Sequence, residues 1–112
     1  MAKEAVEFQD GTVIDYTLSG EVSVGDIIPL GDNMVGIAVV SGLSGEQITL
    51  ELEKVWKINA TTADAIAVGN VVYFNATTRE ITTTATGNCR AGKAISAKAA
   101  ATAGFVYVKI NA

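Results

Sequence analysis

Residues 48–58 read Ile48-Thr49-Leu50-Glu51-Leu52-Glu53-Lys54-Val55-Trp56-Lys57-Ile58. Ile48, Leu50, Leu52, Trp56 and Ile58 share one parity. Thr49, Glu51, Glu53 and Lys57 share the other. A period of two puts alternate side chains on opposite faces of an extended chain, so this is a half-buried strand. Lys54 falls on the apolar parity and breaks it. A bend or bulge at Lys54 is predicted, splitting the run into two strands.

The same reading extends outward. Residues 12–17 (Thr-Val-Ile-Asp-Tyr-Thr) are rich in strand formers. Residues 34–40 are mostly apolar, and 71–74 and 104–110 complete the strong strands. In the last, Val106, Val108 and Ile110 face one way, and Phe105, Tyr107 and Lys109 the other. Eleven glycines stand against the single Pro29, many in turn pairs such as Asp10-Gly11, Gly25-Asp26, Gly31-Asp32, Ser44-Gly45 and Gly87-Asn88. Short strands between such turns predict an all-β chain: a small barrel or sandwich with at most one short helix. One β domain over 1–112 is expected, with residues 1–10 as an arm that orders on a partner or frays.

Two stretches compete for helix. Residues 62–67 have the composition for one helical turn, and the Ala-rich 91–103 scores as helix on propensity. An internal echo opposes the second. Val24-Gly25-Asp26 before Ile27-Ile28 resembles Val68-Gly69-Asn70 before Val71-Val72, and Gly36-Ile37-Ala38-Val39 resembles Gly92-Lys93-Ala94-Ile95. Gly36 to Leu52 and Gly92 to Val108 are both 16 positions. If the halves share a layout, 92–97 is a strand and the alanines that follow form a connection.

Composition narrows the function. The hydrophobic fraction, 49%, supports a core, and aromatics reach only 6%, so that core is thin. Net charge is −4, with eight basic residues scattered singly along the chain. That is not the basic footprint that neutralises phosphates, so no nucleic-acid partner is expected. The chain has no His and one Cys, Cys89. No internal disulfide forms, a thiol nucleophile lacks its usual base, and the common zinc and copper ligands are missing. No apolar run reaches membrane-spanning length, and Met1-Ala2-Lys3-Glu4 lacks a signal peptide's apolar stretch. Synthesis in a reducing cytoplasm is expected, with exit only inside an assembly.

Gly87-Asn88-Cys89-Arg90-Ala91-Gly92-Lys93-Ala94 nearly matches the phosphate loop G-x-x-x-x-G-K-[ST]. Ala94 replaces the magnesium-binding hydroxyl, and the residues before it, 82–86, are not a buried apolar strand. The stretch reads as a turn into a strand. Glu51 and Glu53, with Glu46 nearby, lie on the polar parity and read as a solvated face rather than an acid–base pair. Asp26 and Asp32 read as turn residues, too few in one loop for calcium. No catalytic, cofactor-binding or metal-binding residue is assigned, and no cofactor is expected. Phe8, Tyr16 and Trp56 are the candidate interface residues, since large aromatics anchor protein contacts.

The order of landmarks resembles a known family. They are Met1-Ala2-Lys3, Gln9-Asp10-Gly11, Val13-Ile14-Asp15-Tyr16, Val24-Gly25-Asp26, Val35-Gly36-Ile37-Ala38 and Gly45-Glu46. Then come Ala67-Val68-Gly69-Asn70-Val71-Val72-Tyr73, residues 84–88 and Gly92-Lys93-Ala94. Nearly the whole chain is similar to small phage proteins encoded among head genes. Some carry the label "predicted RecA/RadA recombinase"; others are described as capsid decoration or cement proteins. The recombinase label implies ATP binding, from which Ala94 departs. The decoration reading implies a β-tulip or small barrel, a homo-oligomer (a trimer is favoured) and the major capsid protein as partner. It places the chain on the virion exterior, stabilising the expanded shell. The alternatives are a nucleotide- or DNA-binding recombination accessory protein and a small-ligand or glycan-binding barrel.

Overall fold

The computed structural model describes Ala5 and residues 9–112. Among these residues nine strands run in chain order: β1 (Val13–Thr17), β2 (Ile27–Leu30), β3 (Met34–Ala38), β4 (Gln47–Glu51), β5 (Val55–Ala60), β6 (Val71–Asn75), β7 (Glu80–Thr82), β8 (Cys89–Ala94) and β9 (Gly104–Ile110). Among the described residues there is no helix. The strands form an open four-stranded sheet, β1-β4-β3-β2, and a closed barrel, β5-β7-β6-β8-β9. Neighbours are antiparallel except β5 and β7, which meet in parallel at Ala60 and Ile81.

Lys54 is where one layer becomes the other. β4 ends at Glu51 and β5 starts at Val55. Between them Lys54 takes a φ of 86°, which turns the chain out of the sheet and into the barrel. Its ammonium pairs with Glu51 at 3.2 Å. The break in parity is thus a change of sheet.

The echo in the sequence is a duplication of topology. In the first half β1 pairs with β4, β4 with β3, and β3 with β2. In the second, β5 pairs with β9, β9 with β8, and β8 with β6. The turns match atom for atom. The Gly25 amide donates to Ala38 O (2.7 Å) and the Gly69 amide to Ala94 O (2.8 Å); Ala38 and Ala94 in turn donate to Asp26 O and Asn70 O, each at 2.9 Å. Isolated bridges join Val22 to Gly42 in one half and Ile66 to Lys98 in the other. The added β6–β7 hairpin and the connection to β8 give the second half the strand that closes it.

Three expectations need correcting. The equal 16-residue spacings were not the structural match: Ala38 sits opposite Leu50 and Ala94 opposite Val108. Leu50, not Leu52, is therefore the counterpart of Val108, because the connection before β9 is two residues longer. The strand predicted over 92–97 starts earlier, at Cys89, and stops at Ala94. Residues 62–67 do not form a helical turn. The Asp64 carboxylate instead accepts from Thr82 Oγ1 (2.6 Å) and the Thr83 amide (2.9 Å), and Ile66 goes to its bridge.

Two buried clusters follow from the alternation. The larger fills the barrel with Phe74, Val72, Ile81, Val106 and Val108, and takes in Val35 and Ile37 from β3. The smaller holds Leu18, Ala38, Ile48 and Leu50, flanked by half-buried Ile14, Tyr16, Ile28 and Leu30. β3 serves both, with alternate residues in each, so it is buried on both faces and reads as a continuous apolar run. Where β4 has ended, Asn111 takes its place beside β3. Its Oδ1 accepts from the Val35 amide (2.9 Å), and its Nδ2 donates to Val35 O (2.8 Å) and Leu52 O (2.7 Å).

Candidate functional site

The phosphate-loop lookalike lies within the sheet. Residues 89–94 are β8, hydrogen-bonded between β6 and β9. The Arg90 amide donates to Asp32 O (2.8 Å) and the Ala94 amide to Asn70 O. Amides that a phosphate loop would aim at a ligand are spent on the sheet and its neighbours. Lys93 points to solvent, opposite Lys109. Cys89 is buried, with its thiol donating to Met34 O at 3.0 Å.

The carboxylates have local work. The solvated-face reading fails at Glu51, which is buried and paired with Lys54. Glu46 accepts from the Leu43 amide (2.6 Å), and Asp26 from the Ser23 amide (2.9 Å). Each of these last two holds its own turn. Glu53 is exposed. Among the described residues no group of three or more His, Cys, Asp or Glu could hold a metal ion.

The predicted interface residues are not brought together. Phe8 lies outside the described residues. Tyr16, on β1, packs half-buried against the smaller cluster. Trp56, on β5, packs half-buried against the barrel cluster, and its Nε1 donates to Glu53 O at 3.0 Å.

The exposed apolar surface lies elsewhere. On the outer face of β5 and β9, Phe105 is 40% and Tyr107 43% exposed. Their rings meet edge-to-face at 5.4 Å, and the Lys57 ammonium stands 4.2 Å above the Phe105 ring. Lys57 is opposite Tyr107, and Val55 opposite Lys109, which is itself opposite Lys93. The lysines scattered in sequence therefore gather on one sheet face, interleaved with aromatics. A second pair of apolar groups sits on the matching Val-Gly turns, Val24 (65% exposed) and Val68 (66%), and Leu43 (60%) is exposed on the 41–46 turn. The parity of residues 105–110 was the available signal for the first set; the repeated Val-Gly turn was the signal for Val24 and Val68. Exposed aromatics and valines beside fixed charges suit contact with a protein surface rather than bond chemistry.

A family model described as phage cement protein matches residues 8–110. The chain belongs to the phage cement protein family. No curated protein and no solved structure matches it. The family is one of structural, virion-associated phage proteins, which agrees with the resemblance drawn from the order of turns and strands. In this cement protein the phosphate-loop letters Gly87–Ala94 are a turn followed by strand β8.

Proposed function

We propose that this cement protein binds the outside of the phage head through the major capsid protein and stabilises the expanded shell, as a homotrimer. It is made in the host cytoplasm and joins the head there, as one compact β domain without a cofactor. The family match over residues 8–110 carries the reading. The exposed aromatic and lysine face supports it, because such a face has the composition of a contact surface.

The test uses heads that lack the protein. Purified chain is added to expanded and unexpanded heads, and binding is read by co-sedimentation and cryo-electron microscopy. Saturable decoration of expanded heads, with a raised temperature of head disruption, is the expected result. Absence from purified native heads, or equal indifference to both head forms, refutes it.

A further inference from the structure

The two halves of the chain carry opposite charge. Residues 1–53 hold ten acidic side chains and one basic, a balance of −9; residues 54–112 hold two acidic and seven basic, a balance of +5. Residues 9–53 contain no basic side chain, and six exposed acids stand there: Asp10, Asp15, Glu21, Asp32, Glu46 and Glu53. The overall −4 hides this division.

The duplication sharpens it. Matched through their strand pairs, Ile14 opposite Leu50 corresponds to Trp56 opposite Val108. Lys57 then stands where the first half has Asp15, and Lys109 where it has Glu51. Asn70 replaces Asp26 at the equivalent turn. At the exposed Asp15 and Lys57 positions the same place in the two halves thus carries opposite charge, whereas Glu51, unlike Lys109, is buried against Lys54.

We infer that copies of this chain associate head to tail, with the basic aromatic face of β5 and β9 on one copy meeting the acidic first half of the next. A surface complementary to a different surface of the same molecule makes a heterologous contact, which closes into a ring when the rotation allows. Like faces repel and unlike faces attract, so the charge pattern selects basic face on acidic half over basic face on basic face. Phe105, Tyr107 and Val55 supply the apolar centre and Lys57 and Lys109 the charged border. This assigns the contact within the proposed homo-oligomer.

The experiment is sedimentation equilibrium of the free chain, without heads, at low and high salt. The expected result is a mass that is a multiple of 11.6 kDa, with association weakening about tenfold or more between roughly 50 and 500 mM salt as charges are screened. Lys57→Glu and Lys109→Glu, each checked for native circular dichroism, are expected to give monomer. Asp15→Lys is expected to weaken association, and Asp15→Lys combined with Lys57→Glu to restore part of it. A monomeric wild type at every salt concentration overturns the inference. So does an oligomer whose mass ignores these charge reversals. Head binding by the same variants is scored separately: oligomers that assemble but do not bind heads refute the capsid reading and leave this contact standing.

Discussion

Replacing Gly92 with Ala should cost this protein more than any exposed glycine substitution. Gly92 lies in β8 beside the register shift between Val72 and Tyr73, with a φ of 151° that side chains rarely adopt. A Cβ there would sit 2.1 Å from Lys109 O, 2.9 Å from Ile110 Cα and 3.0 Å from Asn111 N. All three are backbone atoms, so no side chain can swing away, and β8 and β9 must separate. Backbone strain contributes roughly 1–3 kcal/mol, overpacking roughly 1–3, and a disturbed ladder bond about 1. The total is about 4 kcal/mol, a large share of an ordinary domain's stability. At about 2.1 cal/mol/K per residue of unfolding entropy, that lowers Tm by about 17 °C. Gly87→Ala is the control: its φ is 77°, but nothing lies within 4 Å of the added Cβ, so strain alone, about 1–2 kcal/mol, is expected. Urea unfolding followed by Trp56 fluorescence measures both. If the two variants fall within about 1 kcal/mol of each other, the close approach of β8 and β9 is not what requires glycine.

Other sites give independent tests. Asn111→Gly keeps the positive φ of 58° relaxed but removes three hydrogen bonds to Val35 and Leu52; urea unfolding should show a loss of about 2–3 kcal/mol. Lys98 is buried, and its ammonium donates to Thr62 O (3.3 Å), Ala99 O (2.9 Å) and Thr102 O (2.8 Å). Lys98→Met keeps the stem and strands those carbonyls, for an expected loss of about 3 kcal/mol in the same assay. The Thr82 hydroxyl, then the Thr83 amide, hold the Asp64 carboxyl below its ordinary value of 3.8. A depressed folded pKa stabilises above the unfolded value and is lost as pH falls through the folded one. Thermal unfolding against pH should therefore show stability falling below about pH 4, and Asp64→Asn should flatten part of that slope.

The parts of the fold that were legible are those with local causes. The break at Lys54 was visible because one residue out of parity has one immediate consequence. The helix over 91–103 was rejected correctly because the Gly36 and Gly92 segments echo each other, although alanine propensity favours helix. The same echo also misled. Gly36 and Gly92 share a letter for different reasons: a Cβ on Gly36 meets the Leu50 side chain at 2.9 Å, whereas one on Gly92 meets backbone. Matching by equal spacing slid the register by two residues. Nothing local announces the parallel contact of β7 with β5, or Asn111 standing in for a strand, since each partner is far away in sequence. The aromatic lysine face had its signal in the parity of 105–110, but its lysines come from β5, β8 and β9, so counting along the chain made them look isolated.

The duplication also explains how the open half tolerates being open. The barrel has β7 between β5 and β6; among the described residues the first half has no strand between β1 and β2. Two free edges flank half-buried Ile14, Tyr16, Ile28 and Leu30, an arrangement that invites unplanned pairing. Each edge is blunted. On β2, Pro29 has no amide to offer, and Arg79, from the β6–β7 turn, donates to Ile27 O at 2.8 Å. On β1, Thr12 O and the Leu18 amide bond toward β4 and its approach, so Val13, Asp15 and Thr17 turn their backbone groups outward. Gln9 occupies Val13 O at 2.8 Å, and the Asp15 charge sits in the middle of what remains. A neutral strand gains little by pairing there, whereas a lysine-bearing face is drawn to it. The residue that protects the edge from the wrong neighbour is therefore the one that would recruit the right one, and Asp15→Lys tests both roles in a single chain.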